Sequence, residues 1–573
     1  MADVATPDAG QSTAVLDAEG MDRDVSFLGL LWASEGSIIG SGWLFGALTA
    51  ATVAGPSAII AWALASVIII VLALIHAELG GLFPVSGGTS RFPHYAFGSF
   101  AGATFGWFSY MQAASVAPIE VLAAVQYLSS AHWARNFFSS SGTLHGWGLV
   151  FAVALMFVFV AINLIGVRWL ARANNSLTWW KVAIPILTII ILLAFHFHGG
   201  NFSAGGGFFA QSGAFKGIVL ALPAGIVFSL LGFEQAVQLG GEARNPSKDL
   251  PRAVILSILI GATIYILVQI AFIGALDPHL LAQAGTWENL ANPGHSPTLK
   301  ALNEAPFYEV AKLAGVVWLA TILRIDAVVS PAGTGLIYLT SGSRISFGLS
   351  KNGYVPEAFE KNSARKVPVF GIIVTGLIGL IFLLPFPSWA KLVSVVTDAS
   401  VLMYAGAPLA LGALRLQKPD LPRPYRLPAG KIVAPLGFVL ANFIVYWAGW
   451  GTYSTLMVVM LLGYGLMAVS RALHLNSNQP TIDWGAAIWV IPYLVGMGVI
   501  SYFGGFGEGG IFNSVGAFSK VLVGGKGQIH LYWDLLVVAG FSLAIYYLAI
   551  SRRLSPDKVD HYVREVYPPP VAE

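Results

Sequence analysis

The sequence predicts an all-α membrane protein built around an inverted repeat of five plus five helices. Three observations predict it. Of 573 residues, 56% are hydrophobic and only 10% charged; apolar runs of about 20 residues recur along the chain; and two of them, the first and the sixth, are interrupted by glycine and proline. A soluble domain cannot hide that much apolar surface. A β-barrel is disfavoured, because the alternating strand pattern is absent and Gly and Pro fall inside the apolar runs, where helix neighbours can re-satisfy the backbone. The chain has no cysteine, which removes disulfides, iron–sulfur clusters and thiol catalysis together. The formal charge of +3 says little by itself.

Residues 1–24 are polar and lack the basic start and small-residue cleavage site of a secretory signal, so they read as a cytoplasmic tail. Crossings then follow at 27–52, 57–81, 98–129, 147–166, 176–197, 217–241, 252–276, 306–342, 368–385, 389–414, 432–450, 453–472, 484–503 and 530–550, fourteen in all. The first repeat takes 25–166 and 175–197, the second 216–415, and four additional helices fill 431–550. Residues 551–573, mixed in charge and carrying a run of three prolines, read as a second cytoplasmic tail.

An even number of crossings puts both termini on one side, and Lys and Arg choose which. With the termini in the cytoplasm, 22 of the 31 fall in inward segments and five in outward loops. Lys181, Lys312, Arg324 and Lys391 fall within spans.

The first span is interrupted at GSIIGSG, Gly36 to Gly42, and the sixth carries Pro223, Gly225 and Gly232 before Glu234. Glycine at mid-membrane weakens a helix. Opened backbone there is tolerated only against protein or a water-filled cavity, so each break implies a site. Close packing of small residues explains one such patch equally well; two, five helices apart, point to a site between the repeats. Amides near Gly40, Ser41 and Gly42, at the start of a half-helix, suit a carboxylate. Carbonyls around Ser37, Ile38, Phe228 and Leu231 suit an ammonium, with Ile39, Gly232 and Phe233 completing the breaks. Together they describe the head of an α-amino acid.

These segments, with FPVSGGTSRFP after the second span, NLIGVRWLARANNSLTWWKV into the fifth and GFEQAVQLGGEARNPSKDLPRA across the sixth, resemble the signature segments of amino acid-polyamine-organocation permeases, over about the first 415 residues. GSGWLFG, AGPSAIIAWAL, HAELGGLFP and APIEVLAAVQY are similar to bacterial aspartate-proton symporters, described as having fourteen helices. The resemblance implies the LeuT-type fold with discontinuous helices 1 and 6, and import of an amino acid by proton symport.

Ionisable residues at membrane depth are functional candidates by default. Lys181 stands where the proton-coupled members carry a lysine, beside the place where sodium-driven relatives bind their ion. There an ammonium can replace the sodium charge and release a proton during the cycle; the alternative is a lysine snorkelling from the end of span five. The resemblance gives it Ser330 and a carbonyl near Gly36 as neighbours. Arg324 and Asp326, two apart, do not face each other. Arg324 can clamp the side-chain carboxylate of an acidic substrate, or it can form an internal ion pair with Glu120 or Glu234. Glu120 is a candidate for proton coupling, for substrate binding or for holding loose backbone. Glu234 reads as a backbone partner, Glu35 is ambiguous in the same way, and Lys391 and Asp398 read as near helix ends or mutually satisfied.

The segment LFPVSGGTSRFPHYAFG suits a re-entrant hairpin against the core, gating the inner side. The outward loop with Trp287, Asn289 and His295 reads as a solvated loop rather than a lid. No HExxH, GxSxG or phosphate-loop motif occurs, and the eleven histidines show no zinc pattern, so neither an enzyme nor a metal or other cofactor is expected. The expected partners are an amino acid, a proton and the bilayer, not nucleic acid, for a monomer or homodimer in the bacterial inner membrane. Alternatives left open are a neutral amino acid symporter, an amino acid or polyamine exchanger, and a membrane nutrient sensor.

Overall fold

The structure, a computed structural model, describes residues 23–138, 144–165, 167–210, 212–292, 294, 296–363, 367–383, 389–507 and 524–566. The expected tails and His295 lie wholly or partly outside these residues. Among the described residues the chain is helical, with three isolated β-bridges and no strand. Ten helical stretches are long and apolar enough to cross a membrane, and two shorter ones, Ala214–Ser229 and Val369–Phe382, are apolar as well.

The first run starts at Ser26, whose hydroxyl accepts the Gly29 amide and caps α1, Phe27–Ile38. α1 stops at Ile39 and Gly40, and α2 resumes at Ser41–Ala54. After a turn at Gly55 come α3, Ala58–Leu82, a short α4, Gly88–Phe97, and α5, Ser99–Leu128. Two more long helices follow, α6, Trp147–Ile165, and α7, Val167–Phe195.

The next crossing is broken as the glycines require. α8, Ala214–Ala221, widens into a π-turn at Leu222–Ile226, and after Ser229 the chain leaves helical hydrogen bonding until α9, Glu234–Gln238. The long helices beyond are α10, Pro246–Ala275, then α11, Pro306–Leu313, α12, Val317–Lys351, α13, Val369–Phe382, and α14, Trp389–Gln417. α15, Gly430–Ala472, bends sharply at Gly449, and α16, Val490–Phe503, and α17, Trp533–Arg552, pack against it.

Several expectations are corrected here. The outward loop is not simply solvated: it carries short helices at Pro278–Ala284 and Pro297–Glu304, and Trp287 is buried with its indole N–H on the Ala204 carbonyl at 3.2 Å; the eighth crossing, expected from residue 306, is the long helix α12 from Val317, with α11 a separate short helix before it. The re-entrant segment is a single buried helix, α4, rather than a hairpin. Residues 556–566 form α18, Pro556–Val566, which docks on α4 instead of hanging free. Val559 and Val566 are buried, Tyr562 packs on His94, and Lys558 pairs with Asp483 at 2.5 Å.

Charges inside the bundle come paired, since an unpartnered buried ion costs several kcal/mol. Glu78 of α3 is held by Arg415, by Arg423 at 3.1 Å and by the Leu427 amide at 2.7 Å. Arg344 of α12 meets Glu242 at 2.8 Å. Asp398 breaks the pattern: it is fully buried in α14, and neither oxygen has a hydrogen-bond donor. It is therefore not near a helix end and has no donor among the described residues, while the side chain of Lys391, its expected partner, lies outside them.

Candidate functional site

The two breaks touch each other. A Cβ on Gly42 would stand 2.9 Å from the Ser229 Cα, and one on Gly232 would stand 2.7 Å from the Ile38 nitrogen. Gly232 also has a φ of 135°, which L side chains rarely adopt. Only glycine at these positions lets the backbones meet. Ser34 ties them further, donating to the Phe233 carbonyl at 3.1 Å and accepting the Ala236 amide at 3.3 Å.

Between the breaks lies a small cavity of about 10 Å³, room for one water-sized molecule. Of the expected residues, Ser37, Ile38, Gly40, Gly42, Phe228 and Leu231 line it, with Glu120 from α5. Val116, Thr334 and Tyr338 complete the wall without having been picked out from sequence. The signal was there for two of them: Ser330, Thr334 and Tyr338 recur every four residues on one face of α12.

The other expected residues fall around the cavity. Ile39 is buried in the turn, Ser41 opens α2, and Gly232 buttresses Ile38. The Phe233 ring turns away, stacked on Tyr404 at 4.9 Å and edge-on to His76.

The backbone groups expected to be unpaired are largely taken by the protein itself. The Ser41 amide donates to Glu120 Oε2 at 2.8 Å, and the Ser41 hydroxyl donates to Oε1 at 3.0 Å. The Ile38 carbonyl accepts the Tyr265 hydroxyl at 2.6 Å and the Phe228 carbonyl accepts the Leu231 amide at 3.1 Å. The reason is general: buried polar backbone is satisfied by whatever lies nearest when no ligand does so.

Lys181 is fully buried and does not snorkel. Its ammonium donates to the Gly36 carbonyl and, at 2.8 Å, to Thr334 Oγ1, while Thr334 itself donates to Gly36 at 2.8 Å. Ser330, the neighbour implied by resemblance, instead donates to Asp326 at 2.6 Å, one helical turn away from the ammonium. Asp326 also accepts from Trp180 at 2.8 Å and Trp43 at 3.1 Å.

Arg324 is absent from the cavity wall: its guanidinium lies over the Tyr308 ring at 4.1 Å. Nor does it pair with Glu120 or Glu234, whose partners are other groups. Glu234 accepts the Gly232 amide at 2.8 Å, Gln112 at 2.8 Å, Tyr404 at 2.6 Å and Tyr338 at 3.0 Å, which is the backbone-holding role expected of it.

Both ends of the cavity are packed. At one end Trp389 stacks on Phe45 at 5.2 Å, meets Phe228 edge-on and donates to the Ser41 hydroxyl at 2.8 Å. At the other, Gln238 takes the Gly87 amide on its carbonyl at 3.0 Å, and Val25 pairs with Glu242 and Arg244.

Residues 25–469 match the amino acid permease family. The chain belongs to that family. The permease is 35% identical to the glutamate/serine transporter AimA of Bacillus subtilis over 93% of its own length and 94% of the relative's. It is 35% identical to the aspartate-proton symporter of the same organism, covering 94% and 98%, and 26% identical to its branched-chain amino acid permease BcaP, covering 80% and 95%. The permease is thus a multi-pass membrane protein of amino acid transport, with a transport rather than an enzymatic role.

Proposed function

We propose that the permease imports an acidic amino acid, aspartate or glutamate, together with a proton, by alternating access at the paired breaks. The observation that carries this is Lys181, a buried ammonium bonded at once to the last turn of α1 and to α12. Its charge and the position of α1 are thereby one variable: losing the proton weakens both bonds and frees α1 to move.

Glu120 supplies the link to substrate. As a carboxylate it occupies the Ser41 amide at the start of α2, where a substrate carboxylate is best held. Once protonated it releases that amide, and the α-carboxylate of the incoming zwitterion takes its place. Proton and amino acid then bind together, which is symport.

This reading takes α1/α2 to α7 and α8/α9 to α14 as inverted five-helix repeats, supported by the mutual contact of breaks in the first and sixth crossings. With α15 divided at Gly449, four more crossings follow, fourteen in total. The Lys and Arg distribution supports cytoplasmic termini in a bacterial inner membrane, for a monomer or homodimer.

The acidic preference rests on the two relatives named for glutamate and aspartate. Arg324 gives it no support from outside the cavity wall. A second reading, a small neutral amino acid such as serine, is favoured by the described lining itself, which has no Arg, Lys or His.

The test is uptake into proteoliposomes with an imposed pH gradient. Labelled aspartate, glutamate and serine compete, and the expected result is proton-driven accumulation of the acidic pair. Sodium dependence would remove the symport proposal, and a preference for serine would install the second reading.

A further inference from the structure

The buried acids that ring the breaks have donors, with one exception. Glu120, Glu234 and Asp326 each accept two or more hydrogen bonds. Glu35 accepts none. It is fully buried in α1, and neither carboxyl oxygen has a partner among the described residues.

Its place in the chain makes this more than a packing defect. Glu35 immediately precedes Gly36, whose carbonyl holds Lys181, and its own carbonyl accepts the Ile39 amide at 2.9 Å, the bond that closes α1 at the break. It shares a face of α1 with Trp32, three residues earlier, which packs edge-on to Trp179 of α7 at 4.9 Å. The elements packed on α1 are α7, α9, α10 and α12. Among the described side chains, their titratable groups around this stretch are already engaged: Lys181 with Gly36 and Thr334, Glu234 with Gln112, Tyr338 and Tyr404, Asp326 with Trp43 and Trp180, Tyr265 with Ile38, and Arg344 with Glu242.

We infer that Glu35 is a proton-dependent latch on α1, protonated while α1 is seated and ionised when α1 swings out, its proton leaving to and returning from the side that α1 opens toward. An ionised carboxylate sealed away from every donor is expensive, whereas the neutral acid lacks that cost. Water supplies donors once α1 turns about Ile39 and Gly40, and the carboxyl then releases its proton to the side that α1 opens toward. The group must be reprotonated before α1 can reseat. A proton on Glu35 and the seated position of α1 therefore stabilise each other to the same extent. The inference rests on the proton-symport reading and adds to it the step at which the carrier returns.

Two arms of one experiment separate the inference from that reading. Wild-type proteoliposomes with and without a pH gradient test symport alone. Glu35→Gln, a neutral near-isostere, is then compared with wild type for net uptake and for exchange at matched interior pH. At a fixed pH difference across the membrane, wild-type net uptake should fall roughly fivefold or more as the interior is made alkaline, with exchange kept, and Glu35→Gln should flatten that dependence. Infrared difference spectra of the seated state should show a protonated carboxyl band that Glu35→Gln removes. An unchanged interior-pH profile in the variant, with the carboxyl band retained, overturns the inference whatever becomes of symport. Loss of proton-driven uptake in wild type, with the band still assigned to Glu35, overturns symport alone. If Glu35→Gln does not insert, Glu35→Asp serves: a carboxyl band displaced by the shorter acid supports the inference, and an unshifted one overturns it.

Discussion

The Glu120 carboxyl sits 2.8 Å from the Ser41 amide, so the protein places its own acceptor on the best anion-binding group of the site. Glu120 comes from α5 and Ser41 opens α2, 79 residues apart. Any substrate carboxylate that is to use this amide has to displace it.

Glu120→Gln should uncouple transport from protons. The neutral amide stands in for the protonated acid, leaving the Ser41 amide open to substrate, and takes up no proton, so exchange of substrate continues while gradient-driven accumulation drops about fivefold or more. Labelled-substrate accumulation against exchange in proteoliposomes gives both numbers.

Arg324→Ala should leave selectivity alone. The guanidinium stacks on Tyr308 and is no part of the cavity wall, so the ratio of aspartate to serine uptake should stay within about twofold of wild type. A larger change in a competition assay would bring Arg324 into the substrate path.

Gly232→Ala should damage the fold at the second break. The position has a φ of 135° and its Cβ would press on the Ile38 backbone, so strain of about 1–3 kcal/mol is expected before any repacking. The unfolding midpoint in detergent should fall by several degrees, whereas Gly465→Ala, with open space around it, should not lower it.

Acid should loosen α18. His94 of α4 is pushed from its ordinary 6.5 down to about 3, first by burial and then by the positive neighbours Arg91 and His561. Tyr354, Tyr95 and Tyr562 face it as well. Docked His94 is thus neutral, while release of α18 removes His561 and part of the burial and moves proton binding back toward the ordinary value. Docking is at full strength above about pH 6.5 and weakens progressively as pH falls from there toward about 3. A pair of spin labels at Asp420 and Arg564, placed in a chain with no cysteine of its own, should report a broader distance distribution at about pH 5 than at about pH 7.5.

The breaks were legible in sequence because glycine leaves a local mark. Gly36 to Gly42 and Gly225 to Gly232 sit where the helices open, and six of the ten residues on the cavity wall come from those two stretches. Lys181 was legible as a lone cation in an apolar run. What did not show was which partner each polar group would choose, since that depends on contacts between residues far apart in the chain. Ser330 and Thr334 differ by one helical turn, and nothing local says which one the ammonium reaches. Arg324 misled for the same reason: its depth in the membrane could be read off, but its attachment to Tyr308 could not. The short helices at Pro278–Ala284, Pro297–Glu304 and Pro556–Val566 were missed because such helices, buried on one side only, lack the long apolar run that marks a crossing.

The seat of α18 has a consequence for how the molecule is made. α4 emerges from the ribosome early, yet the Tyr562 ring that covers His94 and Tyr95 is translated after every crossing described above. Until then the floor of the bundle presents bare aromatic surface. A nascent chain therefore leaves more of that aromatic face uncovered than the finished molecule does.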